Sequence, residues 1–132
     1  MKNEIEHLQK AVTVVLPWPD RKLNPNYSKG RHWTSTTDER KTARTAAQVL
    51  TMAAMQSAGP RTFDGDLEVT IVFMAPDKRH RDRDNLLSAL KPSLDGVADA
   101  LRVNDSQFNP ITISRGNGMK PGYVIVTIGS KP

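Results

Sequence analysis

The sequence predicts a single α+β domain with a mixed β-sheet, and three features predict it. Leu67, Val69, Ile71 and Phe73 alternate with Glu68, Thr70, Val72 and Met74, the period of a strand with one buried face. Leu86, Leu90, Leu94, Val97, Ala98 and Leu101 recur at helical spacing. Short runs rich in β-branched residues stand near both ends of the chain, at 12–16 and 123–128. The element order is therefore β-α-β-α-β-β, within one domain over residues 1–132 whose residues 1–10 read as a flexible extension.

Each element has its own start and stop signals. The first strand, 12–16, ends at Pro17-Trp18-Pro19. Residues 20–34 carry Asn24-Pro25-Asn26 and Gly30 without any period and read as a long loop, a kind of segment that often carries function. Ser35 with Asp38, and Thr36 with Glu39, form overlapping capping boxes that open the first helix. Its apolar stripe is Ala43, Ala46, Ala47, Leu50 and Ala54, small enough to lie close to a sheet. Met52 and Met55 read as packing residues, and Gly59-Pro60 stops the helix. Pro76 ends the second strand, the second helix begins near Asn85, and Pro92 favours a kink in it. Residues 108–114 and 123–128 read as two further strands. Arg115-Gly116-Asn117-Gly118 supplies the turn chemistry for a hairpin between them.

Composition narrows the partners. The hydrophobic fraction is 37% and the charged fraction 25%, which suits a globular chain with one modest core. No apolar run approaches the roughly 20 residues needed to span a bilayer, and the first residues have no secretory pattern, so the expected compartment is the cytoplasm. The absence of cysteine excludes disulfides and thiolate metal sites. A net charge of +5 favours nucleic acid over acidic small molecules. The positive charge is clustered: Arg21, Lys22, Lys29, Arg31 and His32 form one group, followed by Arg40, Lys41 and Arg44.

The second basic cluster carries the chemistry. Five of the six residues from Lys78 to Arg83 are Lys, Arg or His, and Asp82 and Asp84 sit among them. Basic runs attract phosphates, whereas neighbouring carboxylates repel them unless a cation bridges the two. Mg²⁺ is such a bridge, held by one or two carboxylates plus phosphate oxygens. The ordinary alternative is a helix cap by Asp84 or Asn85. On the second helix Asp84, Ser88, Lys91 and Asp95 share one face, opposite most of the leucines. Helical side chains tilt toward the N-terminus, so Lys91, roughly 10 Å along the axis from Asp84, is expected to lean back toward the carboxylates. It also forms an ordinary i, i+4 pair with Asp95. Asn104-Asp105-Ser106-Gln107 offers a third acid, or simply a turn.

Together, Asp82-x-Asp84-Asn85, the helix with Lys91 and Leu94-Asp95-Gly96, and Asn104-Asp105-Ser106-Gln107 resemble the RusA family of Holliday junction resolvases. Leu16-Pro17-Trp18-Pro19, Leu23-Asn24-Pro25-Asn26 and Gly30-Arg31-His32-Trp33 fit the same family, and the likeness spans roughly residues 12–128. The resemblance implies a Mg²⁺-dependent endonuclease of phage or prophage type, a homodimer that cuts two strands of branched DNA symmetrically, with no small-molecule cofactor and no membrane partner. It implies Asp82, Asp84 and Asp105 as metal ligands and Lys91 as the catalytic cation. The family lysine usually follows the Asp-Asn pair by three residues, a position held here by Ser88, whereas alignment on Leu94-Asp95-Gly96 selects Lys91. Lys78, Arg79, Arg81 and Arg83 are expected to hold flanking phosphates, and Lys29, Arg31 and Trp33 to reach the junction from the long loop. Two other readings stay open: a junction- or fork-binding protein without chemistry, and a nuclease acting on flaps or other branched DNA.

The third acid raises a problem of reach. A straight helix from Asn85 to Leu101 is about 24 Å long, while the few residues up to Asp105 extend at most about 14 Å. Either the chain bends at Pro92 and the helix ends near Gly96, the favoured expectation, or Asp105 comes from a partner subunit.

Overall fold

The computed structural model describes residues 11–58 and 62–130. The expected extension at 1–10 and the Gly59-Pro60 stop lie outside the described residues. Four strands, β1 (Val12–Pro17), β2 (Leu67–Ala75), β3 (Phe108–Asn117) and β4 (Tyr123–Ser130), form one mixed sheet in the order β1-β4-β2-β3. Two long helices, α1 (Thr37–Ala58) and α2 (Arg83–Leu101), complete the expected α+β order. The segment before α1 is not structureless: it holds a 3-10 turn at Arg21–Leu23, one helical turn at Pro25–Ser28 and a second 3-10 turn at Trp33–Thr36.

One face of the sheet builds the core. Val12, Ile128 and Val69 form a cross-strand row, as do Val14, Val126 and Ile71, then Leu16, Val124 and Phe73. All nine are buried. Leu86, Leu90, Leu94, Val97 and Leu101 of α2 and Ala47 of α1 join the same cluster. On α1 the buried stripe is rotated from the expected one. Thr51 is fully buried, its hydroxyl donating to the Ala47 carbonyl at 2.7 Å, while Leu50 and Met52 face outward.

The expected β3–β4 hairpin does not form. β3 pairs with β2 in parallel through the α2 crossover, and β4 lies antiparallel between β1 and β2. Gly116 and Asn117 belong to β3. The glycines that follow serve close approach rather than a tight turn: a Cβ on Gly118 would lie 2.7 Å from the Met74 and Ala75 carbonyl oxygens. Gly122, with φ +81°, passes against Pro76. The chain thus crosses the end of β2 to reach its far side.

Nor does α2 end early. It continues through Pro92 and Gly96 to Leu101, and Arg102 closes it in the left-handed conformation, its N–H donating to the Ala98 and Asp99 carbonyls. Gly96 is where α1 crosses: a Cβ there would sit 2.1 Å from the Arg44 carbonyl oxygen. Beside the crossing, Arg44 grips Asp99 with two hydrogen bonds, at 2.7 and 2.9 Å. That makes Arg44 a clasp between helices rather than part of a free basic patch.

Candidate active site and nucleic-acid cleft

The segment between β2 and α2 has an internal scaffold built on Asp77. Its carboxylate accepts from the Arg79 backbone N–H at 3.0 Å and pairs with the Arg79 and Arg81 guanidinium groups at 3.1 and 2.8 Å. The Arg79 side chain above all, with its backbone N–H and Arg81, holds the Asp77 carboxyl well below the usual carboxylate range. Arg81 also donates to the Asp77 and Arg79 carbonyls and lies 5.3 Å over the Trp18 ring. Trp18 in turn packs edge-on to Phe73 of the core. Arg81 is therefore tucked in, not a free phosphate contact. The side chains of Lys78 and Arg83 are exposed and make no hydrogen bond or ion pair among the described residues. The sequence reading missed Asp77, although an Asp two residues before an Arg and just after a strand-ending Pro is a recognisable turn signal.

The helix cap is Asp82, two residues before Asp84 and three before Asn85, the caps expected. Its side chain accepts from the Asp84 N–H at 2.8 Å, and its carbonyl accepts from the Leu86 N–H at 3.0 Å. Asp84 stands exposed in the first turn, where a carboxylate complements the helix dipole. Asp82 thus serves as the cap, a role that does not use its second oxygen.

Lys91 does not lean back toward this pair. Its Nζ donates to Asp95 at 3.2 Å and to Asp105. Asp105 opens a 3-10 turn, Asp105–Gln107, capped by Asn104, whose side chain accepts from the Ser106 N–H at 2.9 Å. Gln107 accepts from the Asn104 N–H and donates to the Gly65 carbonyl, pinning the turn beside the start of β2. The reach argument explains the outcome. Lys91 lies about 15 Å back along the axis from Leu101, and the residues after the helix extend about 14 Å. Asp105 arrives at Lys91, in its own chain, and stops there. The hydrogen bond to Lys91 holds the Asp105 carboxyl below its ordinary range, and the same bond, more than that of Asp95, holds the Lys91 ammonium above its own. Among the described residues no three acidic or histidine side chains are grouped closely enough to cage a metal. Ser88 lies exposed on the same helix.

Next to Asp82 opens a cleft of about 870 Å³. Its walls come from two distant parts of the chain, the 18–27 segment and residues 79–89. Arg31 lies just beyond, its guanidinium 3.8 Å over the Tyr27 ring and donating to the Tyr27 carbonyl. Lys29 is exposed, and Trp33 begins the 3-10 turn that leads into α1.

The cleft is walled by arginines, aromatic rings and carboxamides, with Asp82 in its lining, a composition suited to nucleic acid. The chain belongs to the RusA endodeoxyribonuclease family: the model described as Endodeoxyribonuclease RusA matches residues 17–128. It is also 34% identical over 121 residues to an uncharacterized protein of Xylella fastidiosa (strain Temecula1), covering 92% of this chain and 78% of that protein.

Proposed function

We propose that the protein is a Mg²⁺-dependent endonuclease that resolves four-way DNA junctions as a homodimer in the cytoplasm. The observation that carries this reading is the family match over residues 17–128, inside which Asp82 lines a cleft rich in arginine and Asp84 follows it on the first turn of α2.

The donor set fits a hard divalent cation. All candidate ligands are carboxylates, and Mg²⁺ commonly takes only one or two of them, completing its shell with water and phosphate oxygens. The Asp84 carboxylate is exposed and makes no hydrogen bond or ion pair among the described residues, Asp82 uses one oxygen as a cap, and Asp105 is held by Lys91. Asp82 and Asp84 would hold the ion, while Asp105, expected as a third ligand, is engaged by Lys91 and is not grouped with them. When bound, it would lower the pKa of a water and neutralise charge on the scissile phosphate. Lys91 would stabilise the negative charge that develops during cleavage. Lys78 and Arg83 would hold flanking phosphates without reading sequence.

Two strands related by a two-fold axis call for two sites related the same way, which supports the homodimer. Val49, Leu50 and Met52 add an exposed apolar face on α1, 59%, 38% and 50% accessible, of the kind that pairing of copies covers. The reading is tested by incubating the protein with a synthetic four-way junction, a flap and a linear duplex, with and without Mg²⁺. Paired, Mg²⁺-dependent nicks in the junction are expected. Preferential flap cutting would reassign the substrate, and tight junction binding without cutting would make this a binding protein.

A further inference from the structure

We infer that the cleft beside Asp82 is a pocket for a single unpaired nucleobase, with Tyr27 as its stacking platform and Asn26 and Asn85 reading the base edge. This rests on the proposed nuclease reading for its DNA substrate but adds a contact to the base where that reading needs only the backbone.

The content of the cleft points to a base. A purely phosphate-binding groove needs cations, yet this one presents Trp18, Asn26, Tyr27 and Asn85 together with Arg21 and Arg79. Asn26 and Asn85 line the cleft from its two chain segments, and neither side chain has a hydrogen-bond partner among the described residues. A carboxamide carries a donor and an acceptor side by side, the pattern that matches a base edge. The volume, about 870 Å³, lies within the ~300–1,000 Å³ range of small-molecule sites and admits one nucleotide.

The platform is held in place before any ligand arrives. Asn24 caps the Pro25–Ser28 turn, its side chain accepting from the Asn26 N–H at 2.9 Å and its carbonyl from the Tyr27 N–H at 2.9 Å. Arg31 covers one face of the Tyr27 ring from 3.8 Å. A base stacking on Tyr27 would extend that layered contact, and stacking tolerates any base because every base has a π-face. Selection among bases would then fall to the carboxamides. Asp82 lines the same cleft, so the held nucleotide lies next to that carboxylate. Base pairs at a strand-exchange point are the ones that open at least cost, since extrusion is cheapest where pairing is already disturbed.

The test uses the full-length protein and two readouts. In the first, junction affinity is measured without metal while an abasic nucleotide is moved through the positions flanking the crossover. Wild type should lose about fivefold or more at one position, the scale of one stacked base. Tyr27→Ala should bind all these junctions alike, and Tyr27→Phe should keep the discrimination, which separates stacking from misfolding. In the second, Mg²⁺-dependent cleavage is timed on four junctions that differ only in the base at that position. Wild type should spread over about tenfold or more, the scale of one good base-edge contact, and the Asn26→Ala, Asn85→Ala double variant should collapse the spread. Indifference of the wild type to every abasic position, or an unchanged spread in the double variant, would overturn the base pocket. Intact abasic discrimination without any cleavage would instead overturn the nuclease reading and leave the pocket standing.

Discussion

Lys91 on α2 and Asp105 on the turn after it meet through Nζ and a carboxylate oxygen, fourteen residues apart in one chain. The contact ties the turn before β3 to the middle of the helix. It also gives Asp105 a partner that a bound cation would have to share or displace.

For this pair, Lys91→Ala should slow junction cleavage by about 10²-fold or more with little change in affinity, if the ammonium meets charge in the transition state. Equal, small effects of Lys91→Ala and Asp95→Ala would reduce Lys91 to a helix-surface ion pair. The pH dependence of stability has a definite sign. The Asp105 carboxyl is held low and the Lys91 ammonium high, so the link contributes in full between the unfolded values, about 3.9 and 10.4. It fades as pH falls through the lowered carboxyl value or climbs through the raised ammonium value. Thermal melts of wild type and Asp105→Asn should differ by a constant amount across that window and converge beyond either end.

Asp82 combines a cap with a proposed ligand, and substitution can separate the two. Asn caps a helix as well as Asp does, so Asp82→Asn should melt like wild type yet lose cleavage. Asp82→Ala should lose cleavage and also about 1 kcal/mol of stability. Cleavage by Asp82→Asn near the wild-type rate would leave Asp82 with the cap alone.

Asp77→Ala sets electrostatics against positioning. Removing a negative charge should tighten DNA binding at low salt, since counterion release grows with net positive contacts. It also frees Arg79 and Arg81 from their shared carboxylate, so the segment carrying Asp82 loses its scaffold. Cleavage should fall by about tenfold while affinity holds or rises, on the scale expected when reacting groups are misplaced. Affinity and rate falling together would assign Asp77 to general folding.

Salt dependence sorts the arginines. Lys78→Ala and Arg83→Ala should each flatten the slope of log affinity against log salt by about 0.9 if each contacts one phosphate. Arg81→Ala should leave the slope unchanged, because that side chain is occupied by Asp77 and Trp18. A slope insensitive to Lys78 and Arg83 would move the DNA to another surface.

Gly96→Ala tests the helix crossing. The new methyl would fall 2.1 Å from the Arg44 carbonyl oxygen, backbone that cannot step aside. Chemical denaturation should show a loss of about 1–3 kcal/mol or more, the range for overpacking. A wild-type midpoint would mean that the helices separate easily.

What could be read in advance depended on how local the cause was. β2 was legible because one buried face imposes a period of two, and α2 because its leucines fall on one side. Strand pairing was not legible. Arg115-Gly116-Asn117-Gly118 has the chemistry of a tight turn, and only the presence of β2 shows that Gly118 is needed to clear Met74 and Ala75. Gly96 was read as a helix breaker for the same reason, since its use lies on another helix. In the site, the residue types and their order were visible, but not their neighbours. Lys91 turned toward Asp105 rather than the N-terminal acids, because the chain after Leu101 is just long enough to come back one side of the helix. The cleft was invisible because Tyr27 and Asn85 are nearly sixty positions apart in the sequence.

The place of β4 between β1 and β2 sets a timetable for a chain emerging from the ribosome. Neither β1 nor β2 has its common neighbour until residues 123–130 are made, although Asp82, Asp84, Lys91 and Asp105 are all synthesised before then. Gly122, which lies against Pro76 at the root of the acidic segment, arrives in the same late stretch. Such non-local pairing delays the closing of a sheet until its remote strand is available. A nascent chain therefore carries every acidic residue of the site before its sheet can close.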